Sequence, residues 1–324
     1  MTLLNLKESF GTTDNKIMLH NVVEIAEENR SLSLSRGFLV IRHKDEVLGK
    51  VPLDSIEVLI LTAQSASITK PILNALSEKG CVTILCGKNY VPFSVVLPIA
   101  IHSKTAKILK TQIDCSSPFR KRIWQKIVVQ KILNQARTLF LCGKEKEAKT
   151  IEKIASSVKS GDSENREAYA ARLYWQFLFG KDFKRDREEQ GINALLNYGY
   201  AVMRAAVARA VCASGLNPSL GLFHKNALNQ FCLVDDLFEV YRPIVDFVVF
   251  SLAKENMFDL IPETKARLAE VLLVKVYTSE GESSAAQSMQ YLAFSYVNSL
   301  ESKKCEMEFP EWSDINAKFD FEQV

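Results

Sequence analysis

Between residues 31 and 61 the apolar and polar positions follow the two-residue period of strands. SLSLS alternates strictly, Arg36-Gly37 can turn, FLVIRH is β-branched and apolar, and IEVLIL follows a short VLGKV run. SITKPILNALSEKG then offers a Ser or Thr cap, a proline near the first turn, apolar Ile72, Leu73 and Leu76, and a closing Gly80, which together predict a short helix. CVTILC and PFSVVLP resume extended structure. After Pro98 the alternation gives way to helical periodicity that lasts to about residue 300. The expected class is α+β: a small β-rich domain over 1–97, a linker over 98–117, a larger all-α domain over 118–300 and a tail over 301–324.

The helical part begins with FRKRIWQKIVVQKILNQARTLFL, whose apolar Ile123, Trp124, Ile127, Val128, Ile132 and Leu133 alternate with Lys and Arg as one buried and one basic face. Residues 143–162 turn polar. A new helix then opens at GDSENREAYAARLYWQFLFG, with Asp162 or Ser163 able to cap it and Glu167 in or beside its first turn. There the helix dipole favours an ionised carboxylate by a few tenths to about 1 kcal/mol. KDFKRDREE reads as an exposed connection or a DNA-facing loop. NALLNYGYAVMRAAVARAVCASG is apolar nearly all round, so it belongs at the centre of the helical part, and Gly215 can end it. Asn193, Asn197, Tyr200 and Arg204 run along it as a polar stripe that needs partners.

Composition narrows the class. With 324 residues, 47% of them hydrophobic, the chain can bury a real core. No apolar run reaches the roughly 18 residues of a membrane span, and MTLLNLKESFGTTDNK lacks the order of a signal peptide. A soluble, cytoplasmic protein without a membrane partner is expected. Seven scattered cysteines, none in a CxxC pair, read as reduced thiols. The net charge of +3 conceals 14 Lys or Arg against 4 Asp or Glu over residues 101–160, a local excess of +10 that points to phosphate or to a solvated helix face.

Candidate chemistry concentrates in GLFHKNALNQFCLVDDLFEVYRP, residues 221–243. His224 leads, and Asp235, Asp236 and Glu239 follow at spacings that on a helix put all three carboxylates over one surface. Like charges so close resist ionising together, so a cation is expected beside them. Carboxylate oxygens with an imidazole suit Mg²⁺ or Mn²⁺; a zinc site would need further thiols near Cys232, and a Cys232–His224 nucleophile pair lacks an oxyanion hole. Asp246 shares the face but stands four residues after Arg242, its expected partner. His20, His43 and His102 have no comparable carboxylate company. No GxxxxGKS/T or GxGxxG segment is present, which argues against nucleotide-hydrolysing and dinucleotide-binding classes.

Taken together, VPLDSIEVLILTAQSASITKPILNALSEKGCVTIL, RIWQKIVVQKILNQA, ENREAYAARLYW, NALLNYGYAVMRAAV, GLNPSLGLFHKN and VDDLFEVYRPIVD resemble, in order, the blocks of the CRISPR-associated adaptation integrases, the Cas-one family. The resemblance implies a metal site of Glu167, His224 and Glu239, with Asp236 at an additional acidic position. The separations, 224 − 167 = 57 and 239 − 224 = 15, are ordinary for that family, and Ala168 stands where many members have glycine. It further implies a dimerising β-rich domain, a helical domain that carries Mg²⁺ or Mn²⁺, and a complex with double-stranded DNA and a small ferredoxin-like second adaptation protein. Residues 101–160 and Arg242 are then candidate DNA contacts. The implied reaction is insertion of short DNA fragments into a CRISPR array by 3′-hydroxyl attack on a repeat-boundary phosphodiester. Two rivals stand beside it: a metal-dependent nuclease on branched or damaged DNA that does not integrate, and a non-enzymatic DNA-binding scaffold whose acidic cluster is a salt-bridge network.

Overall fold

The structure is a computed structural model and describes residues 21–312 except 26, 88–91, 99–104, 187 and 280. His20 and His102 therefore lie outside the described residues. The chain opens with β1 (Asn21–Ile25), β2 (Arg30–Ser35), β3 (Phe38–His43), β4 (Glu46–Pro52), β5 (Ile56–Leu61) and β6 (Ser67–Ile68). Helix α1 (Lys70–Glu78), β7 (Val82–Cys86) and β8 (Pro92–Val96) follow. The turn between β2 and β3 is Arg36-Gly37, with φ of 48° and 81°, the two left-handed residues that let a tight hairpin match the twist of its strands.

Two four-stranded sheets result, in the orders β4-β3-β2-β6 and β1-β5-β7-β8. In the second, β1, β5 and β7 are parallel and β8 is antiparallel. Its two faces explain the unbroken apolar run of β5. Leu59 and Leu61 enter a small core with Leu32, Leu39, Ile72 and Leu76, whereas Val58 and Ile60 face the helices. A strand buried on both sides loses polar alternation.

The helical part comprises α2 (Thr105–Ile113), α3 (Ser117–Leu141), α4 (Glu145–Ala155), α5 (Arg166–Phe179), α6 (Ile192–Ala213), α7 (Cys232–Phe238), α8 (Arg242–Lys254) and α9 (Pro262–Ala269), followed by β9 (Lys275–Thr278), β10 (Gly281–Ser284), α10 (Ala285–Ser302) and β11 (Glu311–Trp312). The α+β class holds, with three departures. The segment expected to link the parts contains α2, because Ile108 is buried in the helical core and the Gln112 amide pairs with the Asn217 backbone. The polar stretch after residue 143 contains α4, whose buried Ala148, Ile151 and Ile154 were diluted by lysines and glutamates. The region expected to be all-α carries a three-stranded sheet, β10-β9-β11, seated beside α10, where a helix was expected to continue.

Helix α6 is central as its composition requires, packing on α7, α8, α9 and α10 and touching β5 and β7. It approaches α8 at Gly199, where an added Cβ would lie 2.5 Å from Val245 Cγ1 and 3.2 Å from Leu268 Cδ2. Gly199→Ala gains about 1 kcal/mol of helix propensity but overpacks a closed core at a cost of about 1–3 kcal/mol. A lower urea midpoint is the expected outcome. No helix among the described residues is long and apolar enough to cross a membrane, and all seven cysteines are free thiols.

Candidate active site

The carboxylates of the 221–243 segment do not share one surface. Helix α7 is short, neighbouring positions point about 100° apart around it, and each acid finds different partners. Asp235 takes Arg204 in a two-pronged pair, with 2.5 Å to Nε and 3.0 Å to Nη2, which gives the end of the α6 polar stripe its partner. The other end is met by Arg185, which donates to Asn193 at 2.9 Å and Asn197 at 2.6 Å.

Asp236 is fully buried and acts as an anchor for the loop before α7. It accepts the backbone N–H groups of Leu222 (2.5 Å), Phe223 (3.0 Å) and His224 (3.3 Å) and pairs with His224 Nδ1 at 2.6 Å. The loop can close this tightly because residue 221 is glycine: a Cβ there would lie 2.4 Å from the His224 carbonyl oxygen and 2.9 Å from Asp236 Oδ2. The Asp236 hydrogen bond raises the His224 pKa despite partial burial. The imidazole is further fixed edge-on to Phe223 and Trp124, whose rings stack at 4.6 Å. Asp236→Asn places an N–H₂ where donors already point and is expected to cost about 2–4 kcal/mol of stability. The His224 imidazole then titrates at lower pH, which NMR reads directly.

Glu239 follows α7 and meets α3 and α8. Its Oε2 lies 2.5 Å from Lys131 Nζ, and its Oε1 lies 3.0 Å from Arg242 Nε. The Oε2 contact is an ion pair without the angle of a hydrogen bond. Burial works to raise the Glu239 carboxyl, but Arg242 and Lys131 outweigh it and bring it to about 2. Lys131 also reaches Glu167 Oε1 at 2.5 Å, from the start of α5. That start is fixed by Asp162, which accepts the N–H groups of Arg166 (2.8 Å) and Glu167 (3.1 Å), so the capping role expected for Asp162 or Ser163 falls to Asp162. Burial disfavours the Lys131 charge, yet Glu239 and Glu167 more than compensate and raise its pKa.

Two of the expected residues, Glu167 and Glu239, are thus brought together across one ammonium. His224 and Glu239 line a cavity of about 260 Å³ together with Lys131, Gln135, Trp175, Arg185 and Arg242; Glu167 reaches it only through Lys131, and Asp236 stays behind the histidine. Among the described residues no three His, Cys, Asp or Glu side chains converge closely enough to hold a metal ion. The donor chemistry nevertheless suits a hard cation: two carboxylates and an imidazole whose Nδ1 is already engaged.

Lys131 is a site residue that the sequence did not single out from the basic residues of α3. It is 8% exposed and belongs to a polar stripe on the buried side of α3. Along that stripe Asn134 donates to the Val240 carbonyl at 2.7 Å and Thr138 to the Pro243 carbonyl at 3.0 Å, which binds α3 to the junction that carries Glu239 and Arg242. Asp246, expected to pair with Arg242, instead accepts Tyr200 Oη at 2.5 Å and Tyr174 Oη at 2.9 Å. Burial lifts its carboxyl to about 7, and the two hydroxyls undo only part of that. The exposed basic face of α3 is supplied by Lys121, Arg122 and Lys126, with Lys146, Lys149 and Lys153 on α4.

The sequence was compared with known proteins. The family model described as CRISPR associated protein Cas1 matches residues 23–275. The CRISPR-associated endonuclease Cas1 of Neisseria meningitidis serogroup C (strain 8013) is 38% identical over 290 residues, 89% of this chain and 95% of that protein. Among solved structures, a casposase bound to integration product aligns with a TM-score of 0.74 at 20% identity, covering 93% of this chain and 97% of that one. A Cas6-RT-Cas1–Cas2 complex aligns at 0.71 and 18% identity, covering 93% of this chain and 36% of that one. These two likenesses speak for the fold. The family match spans all but the first two residues of the two four-stranded sheets and every site residue described above, so the chain belongs to the Cas1 family of CRISPR-associated proteins.

Proposed function

We propose that this protein is a divalent-metal-dependent DNA integrase of CRISPR adaptation. It joins the 3′-hydroxyl end of a short DNA fragment to a phosphodiester at a repeat boundary, and it cleaves the same kind of bond when water replaces the hydroxyl. The observation that carries the reading is the pair Glu167, at the start of α5, and Glu239, just past α7, both on the Lys131 ammonium, with Glu239 and His224 lining one cavity. The relative named an endonuclease supports the class of chemistry.

Glu167, Glu239 and the imidazole of His224 would hold Mg²⁺ or Mn²⁺, which when bound supplies charge neutralisation at the scissile phosphate and alignment of the entering and leaving oxygens. Asp236 orients His224 by fixing Nδ1 and its backbone. Arg242 and Lys131 balance the carboxylates and sit where a phosphate's negative charge is attracted. In the joining step the hydroxyl oxygen loses its proton to solvent and bonds to phosphorus, the original phosphorus–oxygen bond breaks, and the strand that leaves takes the electron pair and is protonated to a free hydroxyl. No covalent enzyme intermediate forms. Double-stranded DNA binds the basic face of α3 and α4, the β-rich part forms a homodimer, and a small ferredoxin-like second adaptation protein completes the complex. The solved complex that contains Cas1 and Cas2 supports such an assembly.

The Lys131 bridge favours one rival, the scaffold in which these acids are only a salt-bridge network. An assay with the second adaptation protein, a short duplex with 3′-hydroxyl ends and a plasmid carrying a repeat array separates the readings. Joined strands in Mg²⁺ or Mn²⁺ that vanish in EDTA are expected. Cleavage without joining would leave the non-integrating nuclease, and DNA binding with neither product would leave the scaffold.

A further inference from the structure

Gln135 stands one turn beyond Lys131 on α3 and lines the same cavity as Glu239, His224 and Trp175. It is 3% exposed, and its Oε1 has no hydrogen-bond partner among the described residues. The other polar groups of that stripe are engaged, Lys131 with two carboxylates and Asn134 and Thr138 with backbone carbonyls. A buried acceptor left unpaired is destabilising, and an apolar side chain of the same size would avoid that cost. An amide kept there points to a ligand that donates to it.

The cavity walls describe that ligand. At about 260 Å³ it has room for one nucleoside and none for a duplex. The half-buried indole of Trp175 lines the cavity, and Lys131, Arg185 and Arg242 bring positive charge beside it. Glu239 and His224 lie on the same wall, so a nucleoside here stands next to the reacting phosphate of the reading given above.

We propose that Gln135 contacts the terminal nucleoside of the DNA strand whose 3′ end enters this cavity, its amide oxygen accepting a hydrogen bond from the 3′-hydroxyl or from an exocyclic amine of the terminal base. The inference rests on the integrase reading and adds a substrate-contacting residue to it. The glutamine holds the strand end; it takes no proton and forms no bond to the DNA.

Gln135→Leu and Gln135→Met keep the volume and remove the amide. Binding is measured in EDTA by fluorescence anisotropy, using duplexes with single-stranded 3′ tails. The tails end in a 3′-hydroxyl or a 3′-deoxy sugar, and in adenine, which has an exocyclic amine, or thymine, which has none. The parent protein is expected to bind the end that carries the donor about fivefold more tightly than its counterpart, and both variants to lose that preference. Dependence on the hydroxyl identifies the sugar as donor, and dependence on the base identifies the amine. Both variants are expected to melt at or above the parent's temperature, as removal of a buried acceptor without a partner requires. A parent without either preference overturns the inference, as do variants that keep it. Variants that melt several degrees lower while keeping it reveal a structural glutamine held by water. A parent that shows the preference and never joins strands refutes the integrase reading and leaves the contact standing.

Discussion

Glu239→Ala is expected to reduce strand joining by at least about a thousandfold while leaving DNA affinity within a few-fold of the parent. The carboxylate is buried, ionised and shared between Lys131 and Arg242, so its removal takes away charge that no neighbour can replace. A cation held by two acids and an imidazole contributes several kcal/mol of transition-state stabilisation, and about 1.4 kcal/mol corresponds to each tenfold in rate. Glu239→Gln tests the same point with the shape kept: it retains a polar contact for Arg242 and loses the charge. Equal joining by the Gln variant and the parent would remove Glu239 from the metal reading. The proposed reading places affinity on the exposed Lys121, Arg122 and Lys126 of α3 and the lysines of α4, so binding and joining are expected to separate.

What the sequence made legible follows from where periodicity and local chemistry speak clearly. The hairpin at Arg36-Gly37, the doubly buried β5, the central α6 and the cap on α5 each have a local cause, so pattern alone located them. The α2 and α4 helices did not announce themselves, since their apolar faces are only a few residues wide. The β9–β10 hairpin, KVYTSEGESS, alternates too weakly beside long helices to break the helical reading. At the site, residue types pointed to His224 and the carboxylates of 221–243 and the family resemblance added Glu167, but the orientation of each acid depends on tertiary neighbours. Helical spacing alone treats adjacent Asp235 and Asp236 alike, and only the resemblance singles out Asp236; in the fold one faces Arg204, the other the loop that carries His224. Lys131 was hidden for the same reason, because a lysine among lysines looks solvated until a helix packs against its face.

That lysine yields the second large effect. Lys131→Met keeps the length of the side chain and deletes the charge between Glu167 and Glu239, and it is expected to cost about 3–5 kcal/mol of stability at neutral pH. The partial compensation by Arg242 sets the low end, because that guanidinium reaches Glu239 at 3.0 Å and no contact of it with Glu167 relieves the other acid. Two opposed readings of the site make different predictions for what Mn²⁺ then does. If Glu167 and Glu239 are metal ligands, the ion and the ammonium compete for the same oxygens, so the variant gains more melting temperature from added Mn²⁺ than the parent does; an ion at a hundred times its dissociation constant returns about 2.7 kcal/mol. If the acids exist only to pair with lysine, Mn²⁺ restores nothing and the variant stays destabilised. Thermal melts of both proteins across a Mn²⁺ titration decide between them, because the comparison asks whether these carboxylates require this cation or any cation.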